Sequence, residues 1–108
     1  MIYRRSDKDF SELINDLRSK NKKIVFTNGV FDIIHRGHVE YLKEAKKFGE
    51  ILIAGLNSDK SVKKIKGDNR PIVKEEDRAL VLMSLKPVNH VVIFDEENPY
   101  ELIKDIQP

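Results

Sequence analysis

Three short apolar runs, Ile24-Val25-Phe26-Thr27, Ile51-Leu52-Ile53-Ala54-Gly55-Leu56 and Val91-Val92-Ile93-Phe94, are separated by stretches whose apolar residues recur at helical spacing. No other feature of the chain limits its fold as strongly. A run that is apolar throughout fits a strand buried on both faces. A helix between successive strands returns the chain so that the next strand starts in the same direction. The expected fold is therefore α/β: a parallel sheet covered by helices on both faces, in three layers, with right-handed crossovers.

Phe10, Leu13, Ile14 and Leu17 predict a first helix over about Asp7–Lys20, with Ser6 as N-cap and Asp9 three residues on. Asn28-Gly29 ends the first strand. The second helix is expected to start near Gly37, to turn His38, Tyr41, Leu42 and Ala45 inward, and to close on Gly49 as a left-handed glycine. The second strand stops at Asn57-Ser58-Asp59. A basic stretch through Lys66-Gly67-Asp68 and then Arg70-Pro71 leads to a helix over Glu75–Leu85. Asn98, Pro99 and Glu101 are an Asn cap, a Pro at N1 and a Glu at N3, opening a last helix that runs to about Ile106.

There is no internal repeat or linker, so residues 1–108 read as a single domain. The chain stops directly after its last helix with Gln107-Pro108, where an α/β chain normally supplies a returning strand. The expectation is a fragment, or a homodimer whose second copy covers the exposed sheet edge.

With 40% apolar and 35% charged residues, the chain reads as globular rather than disordered. No apolar run approaches the ~18 residues of a membrane span, and the start lacks the apolar stretch of a secretory signal, so a cytoplasmic location is expected. The absence of cysteine excludes disulfides, thiolate metal sites and cysteine nucleophiles. Charge is uneven: 16 Lys and Arg face 10 Asp and Glu through Val73, against 4 and 8 from Lys74 onward. A basic front half suits an anionic small ligand, although solvated helix faces account for most individual lysines.

Ligands of open parallel sheets bind beyond the carboxyl ends of the strands. That rule singles out Asn28 to His38 and its two histidines, His35 and His38, at a helix N-terminus. Neither GxxxxGK[ST] nor GxGxxG is present. The first turn of a helix attracts phosphate through its free N–H groups and dipole. Gly37 lets an anion approach the backbone, and the histidines add ring donors, or positive charge if phosphate raises their pKa. Phosphoryl and nucleotidyl transfer require mainly positioning and charge neutralisation, which this arrangement supplies without a covalent nucleophile. The bland readings are satisfied surface histidines, or two zinc ligands lacking a third partner. His90 reads as a strand-end histidine. Arg78 shares an apolar stripe with Val81, Leu82 and Leu85, so it should have an anionic partner: a ligand, or a carboxylate such as Asp59 or Asp95.

The run GVFDIIHRGHVEYLKEAKKFG, Gly29 to Gly49, closely resembles the nucleotide-binding start of the cytidylyltransferase-like nucleotidyltransferases, whose signature is HxGH. Gly55–Val62, Lys66–Ile72 and Glu76-Asp77-Arg78 narrow the resemblance to the adenylyltransferase domain of the ADP-heptose synthases, from about Lys23 to Pro108. It implies a Rossmann-like domain in which His35 and His38 contact the nucleotide phosphates and stabilise the transition state at the α-phosphorus. Asn28, Gly29, Val30, Phe31 and Gly37 would line the phosphate end, and Asp32 the substrate side. Lys66 would be the flexible-loop lysine that neutralises phosphate charge, and Arg78, Asn57 and Asp59 would border the nucleotide.

The implied reaction joins ATP and a sugar 1-phosphate, a heptose 1-phosphate by resemblance, into an ADP-sugar with release of pyrophosphate, in a pathway toward lipopolysaccharide. Mg²⁺ would ride on the ATP phosphates, with no direct protein ligand. Family members continue past the position of Pro108 with a fourth strand, a Lys-Gly-Gly-Asp-like segment and a Ser/Thr-rich phosphate motif. The resemblance thus implies a domain truncated after the third strand and its helix, lacking the strand beside Ile24–Thr27. The alternatives are a cytidylyltransferase for glycerol 3-phosphate and a nucleotide-binding remnant without catalysis. A nucleic-acid module built on the lysines between Lys60 and Lys66 has no aromatic interleaving to support it, and neither a nucleic-acid nor a membrane partner is expected.

Overall fold

The computed structural model describes residues 1–108. Its elements in chain order are β1 (Ile2–Arg4), α1 (Lys8–Ser19), β2 (Ile24–Gly29), α2 (Arg36–Lys46), β3 (Ile51–Asn57), α3 (Asp59–Lys66), α4 (Glu75–Met83), β4 (His90–Phe94) and α5 (Tyr100–Ile106). All neighbouring strands pair in parallel, in the order β1-β4-β3-β2. The three apolar runs form β2, β3 and β4 as expected.

Alternation along the strands separates two cores. Ile53, Val92 and Phe94 point to the face covered by α1 and α5, where they meet Phe10, Ile14, Leu17, Leu102 and Ile106. Leu52, Ala54, Leu56, Val91 and Ile93 point to the opposite face, against Leu42 of α2 and Ala79 and Leu82 of α4. The three layers follow from the consecutive apolar residues in the middle of β3 and β4, each alternate side chain serving one core.

Several local expectations are corrected. The sheet has a fourth strand: β1 lies along the outer edge of β4, with Ile2 beside Val91 and Arg4 beside Ile93. It was invisible because only one of its three side chains, Tyr3, turns inward, which leaves no period to read. The basic stretch after Asn57 is a helix, α3, whose N-cap Ser58 Oγ accepts from the Ser61 N–H at 3.2 Å. Its lysines obscure the period, since only Ser61 and Val62 are buried. α1 has Asp7, not Ser6, at its N-cap position, and Asp7 Oδ2 accepts from the Arg4 N–H at 2.9 Å. α5 begins one residue later than read, with Pro99 at the cap position and Asn98 Oδ1 accepting from the Tyr100 N–H at 3.2 Å. Tyr41 lies half exposed rather than inward, its hydroxyl bonded to the buried Thr27 hydroxyl.

Gly49 is not left-handed; among the glycines, a positive φ (+94°) occurs at Gly67, beyond the end of α3. Gly49 answers to crowding instead. A Cβ there would stand 2.6 Å from Val25 Cγ2 and 2.9 Å from the Lys23 carbonyl oxygen. Gly49→Ala is therefore expected to destabilise the fold by about 1–3 kcal/mol, the usual cost of overpacking, read as a lower urea midpoint with an unchanged slope.

His90 starts β4 at the sheet end opposite the His35 loop, with its ring 5.8 Å from that of Tyr3. Burial first, then the N-terminal ammonium and Lys46, push its pKa down to about 4 from 6.5. Between those values the unfolded chain binds a proton that the folded chain refuses, so stability falls as pH drops through that window. His90→Gln is expected to flatten this part of the stability profile, measured as the urea midpoint against pH.

Candidate active site

β2 ends at Gly29, and the chain reverses through Phe31, a non-glycine residue held at φ +50°. The buried Phe31 ring anchors that turn in the core beneath α2. Gly29 leaves room for it: a Cβ there would lie 3.1 Å from Phe31 Cε2. On β3, Gly55 faces Asn28 in register, where a Cβ would meet Phe26 Cζ at 2.7 Å and Asn28 Cβ at 3.3 Å. Asn28 itself is exposed.

His35 is the N-cap of α2, and the two histidines cap the helix reciprocally. His35 Nδ1 accepts from the Gly37 N–H at 3.0 Å, and His38 Nδ1 accepts from the His35 N–H at 3.1 Å. Because a backbone N–H can only donate, both Nδ1 atoms must carry a lone pair. Each neutral ring then has its proton on Nε2, directed away from the cap. Protonating either Nδ1 would set donor against donor and break the cap. Burial first, and the neighbouring His35 second, hold the His38 pKa below its ordinary value. The rings lie 4.2 Å apart, and His38 rests 5.5 Å from Phe31. The cap thus presents each ring's Nε2–H as the outward donor.

Gly37 also has a packing role in the cap. A Cβ there would fall 2.7 Å from His35 Cε1, so glycine is what allows the His35 ring to fold over the backbone. The first turn of α2 contains no acidic residue, whereas α1, α3, α4 and α5 each carry one or more. The positive end of the α2 dipole is left without a carboxylate.

Arg78 is 1% exposed and ties this loop to its surroundings. Its guanidinium donates to the carbonyls of Val30 at 2.7 Å, Asn57 at 2.8 Å and Val73 at 2.8 Å, and to Asp59 Oδ1 at 2.8 Å. Of the two carboxylates weighed for it, Asp59 is the one it pairs with. Asn57 is also turned inward, its amide donating to Ser61 Oγ at 2.9 Å. The Asp32 carboxylate accepts the N–H groups of Ile72 and Val73, the latter at 2.8 Å, and the Arg70 guanidinium at 3.2 Å. Burial pushes its pKa up, but those hydrogen bonds outweigh burial and hold it below the usual carboxylate range.

The structure thus gathers Asn28 to His38 from the end of β2 to the start of α2, with Asn57 at the end of β3, Asp59 at the start of α3 and Arg78 in α4 supporting this turn. Lys66 is not brought in. It is the exposed last residue of α3, about 10 Å along the helix from Asp59 at 1.5 Å per residue, and it forms no ion pair. Sequence reasoning missed Arg4 and Glu75. Glu75 pairs with Arg4 and accepts from the Asp59 N–H at 2.8 Å, so it braces the start of α3. Its place in the acidic run Glu75-Glu76-Asp77 disguised it as ordinary dipole compensation.

A family model described as cytidylyltransferase-like matches residues 26–108, which include the whole His35–His38 loop. The chain belongs to the cytidylyltransferase-like family. This cytidylyltransferase-like chain is 58% identical over 100 residues to the bifunctional protein HldE of Aliarcobacter butzleri, covering 93% of the chain and 21% of that relative. It is 63% identical over 91 residues to the bifunctional protein HldE of Wolinella succinogenes, covering 84% and 19%. It therefore spans about a fifth of the length of these curated relatives. Among solved structures, a lipopolysaccharide core biosynthesis protein from Thermoplasma volcanium superposes with a TM-score of 0.71 at 33% identity, covering 81% of the chain and 70% of that protein. No helix of the cytidylyltransferase-like chain is long and apolar enough to cross a membrane.

Proposed function

We propose that this chain is a nucleotidyltransferase that moves AMP from ATP to a heptose 1-phosphate, forming an ADP-sugar and releasing pyrophosphate. The observation that carries this reading is the reciprocal histidine cap. It leaves two ring N–H donors beside a helix N-terminus free of carboxylates. Its support in choosing the sugar is the sequence resemblance to ADP-heptose synthases together with the HldE relatives.

In the reaction, a phosphate oxygen of the sugar 1-phosphate bonds to the α-phosphorus of ATP, and the bond from that phosphorus to the bridging oxygen of pyrophosphate breaks. The attacking oxygen is already ionised at neutral pH, so no general base is required. What the protein must supply is hydrogen bonding to the α-phosphate oxygens as charge shifts among them, along with in-line placement. His35 and His38 donate there through Nε2–H and keep their protons.

Mg²⁺ belongs to this reading as a companion of ATP, where it neutralises the triphosphate. The residues fit that role rather than a protein-held cage. No three His, Asp or Glu side chains cluster as a metal site, and Asp32 and Asp59 are turned toward Arg70 and Arg78.

A homodimer is part of the same proposal. Ile33 and Val81, 59% and 47% exposed, line one hollow of about 210 Å³ beside the His35 loop, an apolar patch suited to a second copy.

The test is pyrophosphate release by the chain with Mg²⁺, pairing ATP or CTP with heptose 1-phosphate or glycerol 3-phosphate. Release with ATP and the heptose alone is expected. Release only with CTP and glycerol 3-phosphate would replace the reading with a cytidylyltransferase. ATP binding without release under any pairing would replace it with a nucleotide-binding remnant.

A further inference from the structure

The segment from Asp68 to Val73 is held to the molecule in an unusual way. None of its side chains is buried: Asp68, Asn69, Arg70 and Ile72 are exposed, and Pro71 and Val73 are half-buried. Apart from one local turn, Arg70 N–H to the Gly67 carbonyl, its hydrogen bonds to the rest of the chain run to two residues only. Arg78 Nε donates to the Val73 carbonyl at 2.8 Å. Everything else converges on one carboxylate: Asp32 accepts from Ile72 N–H at 2.9 Å, Val73 N–H at 2.8 Å and Arg70 at 3.2 Å. That carboxylate is 10% exposed, and it sits three residues before His35 in the loop that carries the histidine cap.

We infer that Asp32 is a positioning residue: its carboxylate latches the strap 68–73 against the His35 loop, so that Arg70 stands ordered beside the anion site before any ligand arrives. The latch is a claim about the fold of the chain alone. Its use in holding Arg70 for a nucleotide or sugar phosphate rests on the function proposed above. A strap with no fully buried side chain relies chiefly on these bonds to offset the entropy of ordering its backbone. A carboxylate that accepts two adjacent backbone N–H groups fixes the direction of the strap as well as its attachment. The remaining guanidinium N–H groups of Arg70, a side chain 45% exposed, stay available to an anion.

The deciding measurement is amide hydrogen exchange on the chain without nucleotide. Asp32→Asn is expected to speed exchange of the Ile72 and Val73 amides by about 100-fold while Leu52 and Ala54 of β3 stay within about twofold. Arg70→Gln, which removes only the more exposed arm, should speed the same amides by less than about fivefold. Val73→Pro deletes one donor from the strap side and leaves the carboxylate in place. It is expected to speed the Ile72 amide about tenfold, which keeps the inference testable if Asp32→Asn fails to fold. An Ile72 amide unmoved by Val73→Pro, or β3 amides accelerated as much as the strap, would overturn the latch.

A calorimetric ATP titration with Mg²⁺ separates the two claims. If the strap is pre-ordered for a phosphate, Asp32→Asn should weaken ATP binding about tenfold with unchanged stoichiometry, whereas a merely structural defect lowers the stoichiometry and leaves the Kd of the folded fraction alone. A wild-type chain that binds no ATP would count against the proposed function, and exchange alone would then decide the latch.

Discussion

His38→Ala is expected to lower kcat for pyrophosphate release by about 10²–10³ while the Kd for ATP changes less than about threefold. The asymmetry follows from how the ring is used. His38 Nδ1 is committed to the His35 N–H, so Nε2–H is the only part of the ring left to meet a phosphate. On the proposed reading, ground-state ATP is also held by the helix N-terminus and by basic side chains. The ring donor matters most where charge shifts onto the α-phosphate oxygens, and an interaction made mainly in the transition state is lost from kcat.

Two further variants divide the ring into its halves. In His38→Asn, the amide oxygen can occupy the Nδ1 position and keep the cap, but no donor reaches outward; activity should match the alanine variant while the melting temperature stays near wild type. In His38→Gln, the amide nitrogen approximates Nε2 while the cap is lost; activity should exceed that of the other two variants and stability should drop by about 1 kcal/mol, the usual worth of an N-cap. Steady-state release assays beside thermal melts read both halves. An unchanged kcat in His38→Ala would remove the histidine cap from the mechanism.

The second large effect is on stability. Arg78→Leu is expected to cost about 3–5 kcal/mol, the range found when one member of a buried ion pair is removed. For a domain of this size that corresponds to a fall in Tm of about 15–30 °C. The side chain is fully buried, and its loss strands the carbonyls of Val30, Asn57 and Val73 together with Asp59 Oδ1. Asp59 retains 31% exposure, so water can reach it and the cost should lie toward the lower end. Arg78→Lys keeps the charge, but a single ammonium cannot span four acceptors spread over three chain segments, so less than half of the loss should be recovered. Thermal and urea unfolding of the variants checks both figures. An Arg78→Leu protein within about 1 kcal/mol of wild type would show that these bonds are replaced by water at little cost.

The layout was legible where a signal is local and repeated. Three apolar runs named β2, β3 and β4, and the stripe of Phe10, Ile14 and Leu17 named α1, because burial on a sheet face imposes periods that survive in the sequence. The placement of Arg78 on an apolar stripe pointed to an anionic partner, and Asp59, which pairs with it, was among those named. What was not legible depends on contacts distant along the chain. β1 is recognisable only through its pairing with β4, and Gly49 only through its collision with Val25 and Lys23. Asp32 resembles any loop aspartate until the strap folds back onto it. The histidine spacing drew attention to this turn, but which ring nitrogen faces the cap is a three-dimensional fact that the letters HRGH do not contain.

The pairing of Ile2 with Val91 has a consequence for how the chain emerges from a ribosome. β1 docks on β4, 89 residues downstream, so it must wait for those residues to be synthesised. At typical translation rates of about 5–20 residues per second, that wait is about 4–18 s. During it, Tyr3 and the inward face of α1 lack Val92, Phe94, Leu102 and Ile106, the residues that later complete their core. The nascent chain therefore exposes an apolar surface until β4 and α5 clear the exit tunnel, and a pause in translation before Val91 would prolong the interval in which a holdase chaperone could engage it.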